Sequence, residues 1–185
     1  MLISGRGSNM EAIARAAADP AWPGEIVLVL ANKADAAGLD TAAALGLPTL
    51  SIPSRDHPTR DSFDAALTSA LDAHGAEAIA LAGFMRILTP GFIRRWEGRI
   101  VNIHPSLLPK YPGLDTHARA LAAGDAQGGC TVHIVTETLD DGPILAQAPV
   151  PIRPGDTADM LAQRVLDQEH QLYPRALATF LATLP

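Results

Sequence analysis

Apolar positions along this chain come in short runs and longer stretches that alternate. Runs rich in β-branched and apolar residues occur at Leu2–Ser4, Ile26–Ala31, Thr49–Ile52, Ala78–Ala82, Ile100–His104, Thr131–Val135 and Ile144–Ile152. Helical stretches separate the early ones, at Asn9–Ala18, Ala37–Leu45 and Arg60–His74. This is the rhythm of strand–helix–strand units, which build a parallel sheet covered by helices on both faces. The later runs lie closer together, which predicts a mixed edge to the sheet. A last helix is expected from Asp156, whose side chain would cap the free amides, with Asp159 three residues on as in a weak capping box. Pro174 is expected to kink or end that helix. No repeat, linker or low-complexity tract interrupts the pattern, so residues 1–185 read as a single α/β domain. The first run is short for the centre of such a sheet, where about five residues is usual. That raises the expectation that the natural chain begins a few residues earlier.

Composition narrows the class. A chain of 185 residues falls in the usual range for one domain and buries roughly 70% of its unfolded surface without a disulfide. The single cysteine, Cys130, reads as a small buried hydrophobe in a strand. The net charge is −6, and Lys33 and Lys110 are the only lysines. No basic cluster marks a nucleic-acid footprint. No apolar run reaches the roughly 18 residues of a membrane span, and no signal-peptide pattern opens the chain. The expectation is a soluble cytoplasmic protein.

Two places carry candidate chemistry. The first strand runs into Ser4-Gly5-Arg6-Gly7-Ser8-Asn9 and then a helix. Glycines let the backbone turn tightly against a ligand, and a helix N-terminus offers unpaired N–H groups to a phosphate. Met10 stands where a dinucleotide fingerprint has its third glycine, and the Gly-Lys-Ser/Thr of a P-loop is absent. A phosphate monoester therefore fits better than a nicotinamide cofactor or ATP. The alternative is a plain strand-to-helix turn capped by Ser8 or Asn9.

The second place is Ile100-Val101-Asn102-Ile103-His104, which ends at Pro105. Asn102 and His104, two residues apart on a strand, share a face. The carboxyl ends of strands in open α/β sheets are where ligands bind. An amide donor beside an imidazole suits oxyanion stabilisation and acid–base work; the alternative is a histidine satisfied by backbone. Leu139-Asp140-Asp141-Gly142-Pro143 is a turn. One of its aspartates, held near His104, would favour the imidazolium, and spacing does not choose between them. His104, His117, His133 and Asp140 match no zinc-ligand spacing. His133 either lines the same pocket or is a buried structural group.

These residues carry a resemblance. Ile3-Ser4-Gly5-Arg6-Gly7-Ser8-Asn9, Asn32-Lys33-Ala34-Asp35-Ala36, Ala82-Gly83-Phe84-Met85-Arg86-Ile87-Leu88, and the stretch from Asn102-Ile103-His104-Pro105-Ser106-Leu107-Leu108-Pro109 through Lys110-Tyr111-Pro112-Gly113 occur in this order. Over almost its whole length the chain resembles the folate-dependent formyltransferase family, in the branch that acts on glycinamide ribonucleotide. The resemblance implies a Rossmann-like three-layer fold. The N-terminal half would bind the phosphoribosyl group; the C-terminal half would bind folate and carry catalysis. It implies that Gly7, Ser8 and Asn9 hold the substrate phosphate and that Glu169 touches its ribose. Arg60, Met85, Arg86, Ile87 and Leu88 would line the folate site, and Asn102 would contact both folate and the reacting centre. His104 would be the general acid, and Asp140 would keep it charged and order a water. The co-substrate implied is 10-formyltetrahydrofolate, with no metal, in a cytoplasmic step of purine biosynthesis. A homodimer is left open, as is the isomer of the Leu108–Pro109 bond.

Two positions depart from the family pattern. Asp141 stands where relatives commonly carry glycine, and Leu166 stands one turn before Glu169, where a polar ribose contact is expected. Rival readings are a formyltetrahydrofolate deformylase, a methionyl-tRNA formyltransferase, and a non-catalytic nucleotide-binding protein on the same fold. The negative charge and the length argue against the tRNA enzyme.

Overall fold

In the computed structural model, which describes residues 1–184, the alternating runs become β1 (Leu2–Ile3), α1 (Ser8–Ala16), β2 (Val29–Ala31), α2 (Ala37–Ala44), β3 (Thr49–Ser51), α3 (Arg60–Ala73), β4 (Ile79–Leu81), α4 (Pro90–Arg95), β5 (Ile100–His104), α5 (Thr116–Ala122), β6 (Gln127–Ile134), β7 (Ile144–Pro151) and α6 (Ala158–Leu181). One seven-stranded sheet has the order β3-β2-β1-β4-β5-β6-β7. The first five strands are parallel, while β6 and β7 pair antiparallel. The expected mixed edge is therefore the C-terminal one.

Period-2 alternation builds three layers. Ile3, Val29, Ala31, Ala80 and Val101 face one way and pack with Met10 and Ile13 of α1, Ala42 of α2, and Leu161, Val165, Tyr173 and Leu177 of α6. Leu2, Leu30, Ile79, Leu81 and Ile100 face the other way, onto Phe63, Leu67 and Leu71 of α3, Phe92 of α4, and Trp96. Each large side chain so buried stabilises the fold by roughly 1.5–3 kcal/mol. The Tyr173 hydroxyl is shared between the carbonyls of Leu81 (3.1 Å) and Val101 (2.9 Å), which ties α6 to β4 and β5.

The structure corrects several local expectations. The cap of α6 is Thr157, whose Oγ1 accepts from the Met160 N–H at 3.2 Å. Asp156 instead accepts from the Arg153 N–H and pairs with Arg164, so the helix begins past it. Pro174 does not end α6, which runs on to Leu181. A helix-interior proline costs about 3 kcal/mol. Burial of Pro174 itself and of Leu177 and Phe180 beyond it offsets it. Helices α4 and α5 lie in stretches where the apolar pattern alone predicts no element. For α4 a signal existed: Thr89 caps it and Pro90 occupies its first turn. Strand β6 starts at Gln127 rather than Thr131, because Gly128 and Gly129 hide its beginning. At Gly129 (φ 154) a Cβ would strike the Ala148 carbonyl and the Leu107 side chain, so only glycine lets these strands meet. The Leu108–Pro109 bond is cis.

Strand order reverses between β1 and β4. In such sheets the crevice outside the carboxyl ends at the reversal takes the ligand. The segments leaving β1, β4 and β5 there are Ser4–Asn9, Ala82–Thr89 and the stretch after His104, which include most of the residues singled out from sequence.

Candidate active site

The registry of β5 on β6 sets Asn102 directly opposite His133 and His104 opposite Thr131. Directly opposed residues on antiparallel strands share a face, so four polar side chains are brought together at the end of the sheet. His104 and His133 are buried. The His133 Nδ1 lies 3.0 Å from the Ile134 carbonyl, and its Nε2 lies 3.2 Å from the Asn102 Nδ2. A neutral ring donating from Nδ1 satisfies both contacts, since its Nε2 then accepts from the amide. Burial lowers the His133 pKa below its ordinary value, opposed by the Ile134 bond and the charge of Asp140. The neutral ring thus fixes which way the Asn102 amide points.

His104 has a carbonyl at one ring nitrogen and a carboxylate near the other. Its Nε2 lies 2.9 Å from the Tyr111 carbonyl, and its Nδ1 lies 3.4 Å from the Asp140 Oδ2. The Nε2 contact is a hydrogen bond, and the Nδ1 contact is a charge contact that leaves the Nδ1 N–H without a hydrogen-bond acceptor among the described residues. Of the two turn aspartates, Asp140 is the one beside the imidazole. Its side chain is only 9% exposed, its backbone is left-handed (φ 53), and Oδ2 also accepts from the Gly113 N–H at 2.8 Å. Oδ1 stands 3.8 Å from the His133 Nε2. Asp141 is exposed. This arrangement can present the second Asn102 N–H and the Nδ1 proton of His104 to a carbonyl oxygen.

At the end of β1 the backbone turns at Gly7 (φ 71). A Cβ there would press on the Gly38 Cα and the Met10 Cε, each at 3.2 Å. Gly7 is the cap of α1 and no side chain bonds the first-turn amides, so neither Ser8 nor Asn9 plays that part. Those amides keep their donors for a ligand. Asn9 is buried and donates from Nδ2 to the Glu169 Oε2 at 2.7 Å, which joins the loop to α6. Burial raises the Glu169 pKa, opposed by the Asn9 bond. Leu166 is half-buried on the same helix.

Between these two groups runs the segment after β4. The Met85 N–H donates to the Ser4 Oγ at 2.8 Å, and the Thr89 N–H donates to the Asp64 Oδ2 at 2.7 Å. Arg86 donates to the Ser54 Oγ (3.1 Å) and lies over the Phe63 ring. Met85 and Ile87 are 71% and 62% exposed, an open apolar wall. Leu88 turns into the core, so its backbone is what it can offer a ligand. Arg60 is exposed at the start of α3.

Three participants were not singled out from sequence. Tyr111 supplies its carbonyl. Thr131 accepts from the Leu108 N–H and donates to the Ser106 carbonyl, while Gln147 donates to the Leu108 carbonyl. These bonds shape the loop after His104, and only strand pairing reveals them. His117 is half-buried, and burial followed by the charge of His104 lowers its pKa. Among the described residues no group of three or more His, Cys, Asp or Glu is arranged to hold a metal ion, and no helix is long and apolar enough to cross a membrane.

Comparisons with known proteins bear on the family. Residues 1–177 match the family described as formyl transferase. The chain is 51% identical over 180 residues to the trifunctional purine biosynthetic protein adenosine-3 of Drosophila pseudoobscura pseudoobscura, covering 96% of this chain and 13% of that protein. It is 45% identical to the phosphoribosylglycinamide formyltransferase of Escherichia coli (strain K12), covering 97% of this chain and 85% of that one. The crystal structure of phosphoribosylglycinamide formyltransferase from Brucella melitensis superposes with a TM-score of 0.93 at 54% identity, covering 100% of this chain and 95% of that one. The chain thus spans 13% of that trifunctional relative and 85% of the single-function one. With its fold and its sequence in agreement, the chain belongs to the formyl transferase family.

Proposed function

We propose that this protein transfers the formyl group of 10-formyltetrahydrofolate to the amine of glycinamide ribonucleotide, as a cytoplasmic step of purine biosynthesis. The observation that carries the proposal is the Asn102–His133–Asp140–His104 cluster at the end of β5, two strands from the phosphate-type loop of β1. Two strand spacings are roughly 10 Å, a distance that a phosphoribosyl group can bridge. The relatives' names support the acceptor, and membership of the family supports a folate-linked formyl donor.

In this reading the first-turn amides of α1 with Gly7, Ser8 and Asn9 hold the phosphate, and Glu169 meets the ribose. Met85, Ile87, Arg86, Arg60 and the Leu88 backbone line the folate site. The substrate amine attacks the formyl carbon, and the carbonyl π pair moves onto oxygen. Asn102 and the protonated His104 donate to that oxyanion. The amine gives up a proton, N10 of the folate takes one as the carbon–N10 bond breaks, and formylglycinamide ribonucleotide and tetrahydrofolate result. The Nδ1 proton is the one that moves, because Nε2 is held by the Tyr111 carbonyl. Asp140 offsets the charge of the imidazolium and orders the water that relays the proton.

The test is to mix purified protein with 10-formyltetrahydrofolate and follow loss of the formyl group, with and without glycinamide ribonucleotide. Turnover that depends on the ribonucleotide supports the proposal. Turnover without it makes water the acceptor and the deformylase reading correct. Tight phosphate-ester binding with no turnover leaves a binding protein on this fold.

A further inference from the structure

The loop after β5 contains Tyr111 in a left-handed backbone conformation (φ 56), uncommon for a residue with a side chain. Such a conformation persists where the surroundings dictate it. The surroundings are visible: the Tyr111 hydroxyl donates to the Asp125 Oδ2 at 2.7 Å. Lys110 Nζ donates to both oxygens of the same carboxylate, at 2.8 and 2.9 Å. The Arg119 guanidinium lies 5.1 Å from the ring centroid and donates to the Pro112 carbonyl at 2.6 Å. The ring is thus held at its tip by Asp125 and across its face by Arg119.

The backbone held this way ends in the carbonyl that His104 uses. Tyr111 O lies 2.9 Å from the His104 Nε2 and 3.3 Å from the Ser106 Oγ. Among the described residues it is the hydrogen-bond partner of Nε2. Asp125 bonds none of Asn102, His104 or Asp140 directly, so its effect on them passes through the loop residues it holds, Tyr111 and its neighbour Lys110.

We infer that Tyr111 and Asp125 are positioning residues: the hydroxyl–carboxylate bond holds the Tyr111 carbonyl on His104 Nε2, which sets the plane of the imidazole and leaves Nδ1 as its transferable proton. The inference rests on the reading of His104 as the acid. The bonds from Lys110 and Tyr111 hold the Asp125 carboxyl below its ordinary range, so the latch is present at neutral pH.

The experiment uses the full chain with Tyr111→Phe or Asp125→Ala. Two readouts are taken: steady-state kinetics with both substrates, and imidazole 1H–15N NMR of the ligand-free protein. Misplacement of a catalytic group by about 1 Å costs up to ~10²-fold in rate. The expected result is a kcat lower by about tenfold or more in each variant. KM should change by no more than about twofold, since ground-state contacts are intact. The His104 Nε2–H resonance, protected in the parent protein, should vanish into exchange with water. Unchanged kcat, or a lowered kcat with the resonance unchanged, overturns the inference. Tyr111→Phe keeps the ring and its stacking, so it carries the test if Asp125→Ala does not fold. Absence of turnover in the parent protein refutes the proposed reaction, while the NMR arm still decides whether the latch sets the imidazole.

Discussion

His104 meets a carbonyl on one side and a carboxylate on the other, and this pairing separates charge from mere shape. Asp140→Asn keeps an oxygen for the Gly113 N–H but removes the negative charge facing Nδ1. His104→Ala removes the donor altogether. General acid–base groups contribute typically ~10²–10⁴-fold, and a lost oxyanion donor costs ~10²–10³-fold. Both variants should lower kcat by at least about two orders of magnitude, measured at saturating substrates. Turnover close to the parent's would remove the residue from its assigned role. The Asp141 departure is harmless on this geometry: that residue is exposed, where water and salt screen its charge from its neighbour.

At the level of elements, the two devices that hold the site are the β6–β7 turn and the ends of helices. A Cβ at Gly142 would collide with the Ile134 carbonyl, so Gly142→Ala must push the turn outward and carry Asp140 with it. Its melting temperature and its kcat should fall together, and a normal kcat in a folded variant would detach the turn from catalysis. Thr157→Ala is the contrasting case. It removes the α6 cap, at a cost of about 1 kcal/mol. In a protein of this size that lowers the melting temperature by roughly 2–4 °C, and kcat should not move.

The whole molecule responds to pH through groups whose burial opposes charge. His133 and His117 have lowered pKa values in the fold, against an ordinary 6.5. Below 6.5 the unfolded chain binds protons that the folded one refuses, so stability falls as pH drops through that window. Glu169 acts in the other direction: its folded pKa is raised above 4.5. As pH climbs from 4.5 toward the folded value, the unfolded chain ionises first, and stability falls with rising pH. Glu169→Gln should therefore gain stability relative to the parent at pH 7 but not at pH 4, read from thermal melts. A dideaza folate analogue at a hundredfold excess over its Kd should stabilise the fold by about 2.7 kcal/mol. That corresponds to a melting temperature higher by roughly 5–11 °C. An unchanged melting temperature under that excess would argue against a folate site.

The alternation of apolar runs and helical stretches was enough to derive a mostly parallel sheet, because burial on both faces demands it of each element separately. Ile100–His104 came out with the boundaries seen in the structure, since its apolar run, its polar pair and its terminal proline all act within a few residues. Gly7 and the resemblance to formyl-folate enzymes were legible for the same reason. The partners of these residues were not. Which aspartate stands beside His104 depends on how a turn folds back across the sheet. That His133 orients Asn102 depends on an antiparallel register 31 residues away in sequence. Pro174 inside a helix depends on core packing that outweighs a local preference. Tyr111 and Asp125 meet only because α5 returns the chain to the same loop. Local physics is written in neighbouring residues, whereas hydrogen bonds and charges act over a few ångströms of space, and only the folded chain decides which residues share those.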